Sequence, residues 1–138
     1  MLETIIIEKD IKVYYVTANS FPEDILTAHQ TLHSKIPFSK ERRYFGLSRP
    51  EKENDGIVYK AAAEQIQDDL EKDYQLDTFI IEKGTYKCIT ISNYKGDPQS
   101  ITKAFRELTA LANIDPNGYC LEWYFNEEDM RCMVRITG

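Results

Sequence analysis

Glycine is scarce in this 138-residue chain, and Gly46, Gly56, Gly84 and Gly96 each stand alone. No glycine-rich loop is present to cradle a phosphate. Cysteine is scarcer still. Cys88, Cys120 and Cys132 are odd in number and widely spaced, which fits neither a disulfide framework nor a CxxC metal site. They read as small buried hydrophobes in a reducing compartment. Basic clusters are missing too: the only adjacent pair, Arg42-Arg43, follows Glu41, and the formal net charge is −6. Phosphate-backbone binding needs clustered Lys and Arg, so direct nucleic-acid binding is not expected. No apolar run approaches membrane-spanning length, and the opening Met-Leu-Glu-Thr carries no signal-peptide pattern. The expectation is a cytoplasmic protein with no membrane partner and no cofactor.

What is present is an internal echo. Ile5-Ile6-Ile7-Glu8-Lys9-Asp10 is similar to Phe79-Ile80-Ile81-Glu82-Lys83-Gly84. Each segment opens a β-rich run, Ile11 to Ala18 and Thr85 to Ser92, and each run leads to a helix start. Ser20-Phe21-Pro22-Glu23 has the form of a capping box. Behind it Ile25, Leu26, His29, Leu32, His33 and Ile36 mark one helical face, which Pro37 ends. Asp97-Pro98 supplies an N-cap and a first-turn proline, followed by a stripe of Ile101, Ala104, Phe105, Leu108, Leu111 and Ala112. Two short strands follow each helix: Arg43 to Ser48 and Gly56 to Ala63, then Tyr119 to Phe125 and Met130 to Thr137. The first pair is joined by Pro50-Glu51-Lys52-Glu53-Asn54-Asp55, the second by Asn126-Glu127-Glu128-Asp129. The order strand-helix-strand-strand thus occurs twice, predicting one α+β domain over 1–138 with half-repeats of about 1–74 and 75–138. The stretch from Ala61 to Lys72 has helix propensity; the repeat assigns strand through Ala63, then a loop or short helix to Tyr74.

The most informative segment is Tyr119-Cys120-Leu121-Glu122-Trp123-Tyr124-Phe125. Strand alternation puts Cys120, Glu122 and Tyr124 on one face and the apolar Leu121, Trp123 and Phe125 on the other. The apolar set is expected to meet the helices. Glu122 then faces away from them, either as an ordinary solvated surface charge or as a pocket carboxylate needing donors, a cation or water. Tyr14, Tyr15, Tyr44, Tyr59, Tyr86, Tyr119 and Tyr124 all lie in or beside strands; tyrosine suits a cleft wall, but each one taken singly reads first as a strand former, and only their number favours a cleft. His29 and His33 have zinc-compatible spacing, but Gln30 stands where HExxH needs glutamate, so packing or exposure is the reading and no metal is expected.

The chain resembles the GyrI-like small-molecule-binding family, the effector-binding domain of AraC- and MerR-type multidrug-sensing regulators. The resemblance rests on the repeated element order, on Tyr44-Phe45-Gly46-Leu47, on Gly56-Ile57-Val58-Tyr59, and above all on Leu121-Glu122-Trp123-Tyr124. It implies an antiparallel sheet with pseudo-twofold symmetry, two helices on one face and a ligand cleft on the other. It implies Glu122 in that cleft attracting cationic, often aromatic ligands, with Tyr124, Tyr59, Tyr44, Tyr14, Tyr15 and Tyr86 as candidate lining. The family's hydrophobic-Pro step in the last strand is absent from Met133-Val134-Arg135-Ile136, and 138 residues leave no room for a DNA-binding domain, so the stand-alone form is expected.

Three functions compete on this reading. The leading one is a sensor or sequestering protein for amphipathic, cationic small molecules, serving transcription regulation only through a separate DNA-binding protein. The second is a hydrolase of strained electrophiles with Glu122 as general base. The third is a protein inhibitor of a topoisomerase-type partner. The sequence leaves a protein partner or a homo-oligomer open.

Overall fold

The computed structural model describes residues 2–50 and 56–137. The expected loop at 51–55 lies outside the described residues. Eight strands and two helices occur in the order β1 (Leu2–Ile7), β2 (Ile11–Thr17), α1 (Ile25–Lys35), β3 (Tyr44–Pro50), β4 (Ile57–Glu64), β5 (Asp77–Ile81), β6 (Gly84–Ile91), α2 (Pro98–Thr109), β7 (Cys120–Tyr124) and β8 (Met130–Arg135). All strands join one antiparallel sheet in the order β1-β6-β8-β7-β3-β4-β2-β5. The fold is α+β. No helix among the described residues is long and apolar enough to cross a membrane.

The echo segments differ from expectation in one respect. Ile5 to Ile7 and Phe79 to Ile81 belong to separate strands, so each helix is preceded by two strands. Neither leading strand pairs with the strand that follows it: β1 pairs with β6, and β5 with β2.

That pairing forces the sheet to curl. β5 and β6 lie six strand positions apart, yet only residues 82 and 83 separate them. Six spacings in a flat sheet span roughly 29 Å, whereas so short a link reaches roughly 11 Å. The link from β1 to β2 makes the same demand, and the two links meet where the Lys83 amide donates to Asp10 Oδ1 at 2.8 Å. The inner face of the curl is filled by its own core: Ile11, Val13, Phe45, Leu47, Ala62, Ile81, Tyr86, Cys88, Leu121 and Met133, with Trp123 packed against it.

The inner core corrects the expected assignment of faces. Leu121 and Trp123 do alternate with Glu122, but they point into the curl and not toward the helices. Both helices sit on the outer face, where Cys120, Glu122 and Tyr124 point. An apolar strand face marks a core, and a curled sheet forms one without helices.

α1 buries Ala28 and Leu32, with its C-cap residue Ile36, against Tyr14, Tyr59, Ala61 and Ala63. α2 buries Ala104 and Leu108 against Ile91, Met130, Cys132 and Val134. Each buried leucine contributes about 2 kcal/mol. α1 rests on β2 and β4, and α2 on β6 and β8, so the central strands β3 and β7 form the floor of a groove between the helices. The cleft therefore lies on the helix-bearing face, opposite to expectation.

α1 begins later than the capping-box pattern suggests. Residues 21–24 form a turn, Asp24 is the N-cap, and Ser20 Oγ donates to Asp24 Oδ2 at 2.8 Å. Ser20 opens the turn, not the helix. Asp97 and Pro98 start α2 as expected, and Ile36 ends α1 before Pro37. After β4 the chain forms a short 3-10 turn at Gln67–Asp69, in keeping with the expected loop or short helix.

Candidate functional site

Gly46 and Glu122 are cross-strand partners at the centre of the groove floor. A Cβ on residue 46 would collide with the Tyr59 hydroxyl and with Glu122 Oε1. The missing side chain is what lets a carboxylate and a phenol share this spot, the close approach that a glycine inside a strand marks.

Two phenols converge on that carboxylate. The Tyr124 hydroxyl donates to Glu122 Oε1 at 2.6 Å, and the Tyr59 hydroxyl donates to the same oxygen at 3.0 Å. Among the described residues, Glu122 makes no ion pair. Burial pushes its pKa up, and the bonds from Tyr124 and Tyr59 pull it partly back, leaving it raised. Burial and then the Glu122 charge push both phenols well above the usual tyrosine range, so they remain protonated donors.

His29 reaches down from α1, its Nε2 2.8 Å from the Tyr59 hydroxyl oxygen. Because the Tyr59 proton points to Glu122, Nε2–H is the donor. Burial, with a smaller contribution from His33, lowers the His29 pKa to about 4, so the ring is neutral at physiological pH. The resulting chain runs His29 to Tyr59 to Glu122, with Tyr124 closing from the other side. Two thiols flank it. Burial, then Glu122, raises Cys120 to about 11 and pushes Cys132, the cross-strand partner of Glu122, higher still. Neither thiol is primed as a nucleophile.

Above this cluster opens a cleft of about 860 Å³, whose lining includes His29, Phe38, Tyr44, Tyr94 and Tyr124. Its rings are arranged as a wall. His29 stands edge-on to Tyr124 at 5.5 Å, Tyr94 packs on Tyr124 at 5.5 Å, and Phe38 stacks parallel on Tyr44 at 5.8 Å. Glu122 itself does not line the cleft; it lies one layer behind, beneath Tyr124. The rim carries both signs, with Glu23 and Glu127 set against Lys40 and Lys95. Arg42, also in the lining, is held by Asp69 through contacts of 2.6 and 3.1 Å.

The structure thus brings together four of the sequence candidates: Glu122, Tyr59 and Tyr124 in the cluster, and Tyr44 on the cleft wall. It places three elsewhere. Tyr14 is buried under α1, its hydroxyl accepting from Gln65 Nε2 at 3.0 Å. Tyr15 is on the inner face, where Lys60 Nζ lies 4.6 Å from its ring centroid. Tyr86 is in the inner core and donates to the Glu82 carbonyl at 2.6 Å. Alternation along β2 sends Tyr14 and Tyr15 to opposite faces, and strand pairing, which the sequence does not display, decides which face and column each of the three occupies. Sequence reasoning missed the roles of Gly46, His29 and Tyr94. Gly46 had a signal, a lone glycine inside a strand, while Tyr94 lies in a short 3-10 turn after β6 that no strand pattern marks. His29 and His33 hold no metal-like constellation: among the described residues no three His, Cys, Asp or Glu side chains converge.

Comparison with known proteins adds the fold. No family model and no curated protein matches the chain. Among solved structures it is similar to an integron cassette protein from the mobile metagenome of Vibrio cholerae (TM-score 0.67, 11% identity, covering 99% of this chain and 95% of that one). It is similar to SAV2435 bound to tetraphenylphosphonium (TM-score 0.64, 12% identity, 100% and 93% covered). It is also similar to a hydrolase from Listeria innocua (TM-score 0.59, 9% identity, 99% and 91% covered). At such identities what is shared is the fold.

Proposed function

We propose that the chain binds lipophilic organic cations in the cleft between its helices, with Glu122 supplying the attraction and Tyr44, Tyr94, Tyr124 and Phe38 supplying aromatic faces. The observation that carries this reading is a partly buried carboxylate that makes no ion pair among the described residues, behind an aromatic wall. A cation over tyrosine faces gains from the ring quadrupoles and from the nearby negative charge. That SAV2435 has been solved with tetraphenylphosphonium, itself a lipophilic cation, is in keeping with it.

The two halves are read as copies of one strand-strand-helix-strand-strand unit. Exchanging them reverses the strand order onto itself, which supports the reading and puts the Gly46–Glu122 pair beside the pseudo-axis. A hydrolase has less support, because Oε1 already accepts from two phenols and Glu122 does not line the cleft.

The test is calorimetric titration with tetraphenylphosphonium and with neutral triphenylphosphine oxide, using wild type and Glu122→Gln. At roughly 8 Å and an effective dielectric of about 20, the charge is worth about 2 kcal/mol, so the phosphonium should lose roughly thirtyfold in affinity. The neutral probe should change little. Equal losses for both probes would remove Glu122 from the recognition of charge.

A further inference from the structure

Every titratable group packed around Glu122 is neutral. From β4 comes Tyr59, from β7 Cys120 and Tyr124, from β8 Cys132, from α1 His29, and from the 3-10 turn after β6 Tyr94. β3 contributes Gly46, which has no side chain, and α2 presents Ile101, Ala104, Phe105 and Leu108, none of which titrates. The Lys and Arg side chains of the cleft lining are otherwise placed. Arg42 is spent on Asp69, Lys40 and Lys95 are exposed at the rim, and Lys95 Nζ sits 6.0 Å from the Tyr94 ring centroid. Both phenols donate to Oε1, and Oε2 accepts no hydrogen bond among the described residues. A partly buried carboxylate stabilised on one oxygen only, by neutral donors, holds its proton more readily than a solvated one until a positive charge arrives.

We propose that a lipophilic cation enters the cleft in exchange for a proton held on Glu122, so that binding and proton release are one coupled event. This rests on the cleft being a cation site and adds what that site does. The proton sits on Oε2, the oxygen the phenols leave free. On binding, the O–H bond breaks, the proton passes to water, and the electron pair stays on the carboxylate as the countercharge of the guest. The ligand class follows. A permanently charged guest, such as a phosphonium or quaternary ammonium, expels the proton to solvent. A lipophilic amine entering as the free base can take that proton itself and bind with no net release.

The direction of the pH dependence is fixed by the same exchange. Below the Glu122 pKa a permanent cation must displace the proton, and its affinity falls about tenfold per pH unit; above it, affinity is flat. The experiment is calorimetric titration of tetraphenylphosphonium at several pH values, from about 5 to about 8, each in two buffers that hold that pH but differ in ionisation enthalpy, acetate and piperazine at the acidic end and phosphate and Tris at the other. The expected result is an apparent binding enthalpy that differs between buffers at the acidic end, the difference vanishing in Glu122→Gln, which still binds weakly. Tyr124→Phe, which removes one donor to the carboxylate, should extend proton release to higher pH. Tight binding with identical enthalpies in both buffers at every pH would overturn the exchange and leave the cation site standing. No binding at any pH would overturn both.

Discussion

At the scale of single residues, the site depends on one absence and one excess. The absence is the Cβ of Gly46, and the excess is two phenols on one carboxylate oxygen. Gly46→Ala should push Tyr59 and Glu122 apart at a cost of about 1–3 kcal/mol, typical of overpacking. It should also weaken tetraphenylphosphonium binding at temperatures where the variant stays folded. Thermal melts paired with calorimetry check this, and wild-type affinity in a folded Gly46→Ala protein would show that the close approach is not needed. Alternation along β7 already separated Glu122 and Tyr124 from Leu121 and Trp123 in the sequence. The assignment of tyrosines to the site was only half legible. Tyr14 and Tyr15 are neighbours on one strand and must point to opposite faces, so both could never line one cleft. Tyr86 needed the pairing of β6 with β8 to be seen on the inner side.

At the scale of elements, the segment after β4 shows how tertiary packing overrides propensity. Ala61, Ala62 and Ala63 favour helix in isolation, yet all three are strand residues without exposure. Small side chains at 61 and 63 let α1 come close, while Ala62 faces the inner core. The following turn is fixed by a buried ion pair, Arg42 with Asp69, which a count of charges along the chain does not reveal. Arg42 and Asp69 are each 1% exposed, and Asp69 also accepts from the Ile66 amide at 2.9 Å and the Tyr74 hydroxyl at 2.8 Å. Burial alone would raise the Asp69 pKa, but the bonds from Arg42, Ile66 and Tyr74 outweigh it and hold it at about 2. Because the folded value is depressed, the stabilisation is complete above the unfolded value of 3.8 and is lost as pH falls toward about 2. Asp69→Asn strands the Arg42 charge and should cost about 3–5 kcal/mol. Denaturant midpoints of the two proteins at neutral pH and near pH 3 measure this. The gap should narrow in acid, and a constant gap would assign the loss to packing instead of charge.

At the scale of the whole molecule, the repeat seen in the sequence does not correspond to two independent folding units. The leading strand of each half is donated to the other: β1 lies on β6 and β5 on β2, while β3 and β7 join the halves at the middle. The inner core draws residues from both halves, so each half alone would leave one face of its remaining sheet uncovered. Periodicity made the strands and helices legible, but strand exchange and curl come from which edges meet, a long-range choice that no local pattern encodes. The consequence can be tested with two fragments, residues 1–74 and 75–138. Each is near the size at which a single core becomes marginal, and each lacks its partner's strand. Neither should show a cooperative thermal transition by circular dichroism when alone. An equimolar mixture should recover both the β-sheet signal and the transition, together with phosphonium binding, since Tyr59 and His29 lie in one fragment and Glu122 and Tyr124 in the other. A fragment that melted cooperatively by itself would mean that the exchanged strands are decoration on self-sufficient halves, and the groove floor shared by β3 and β7 would then be a docking surface instead of the middle of one sheet.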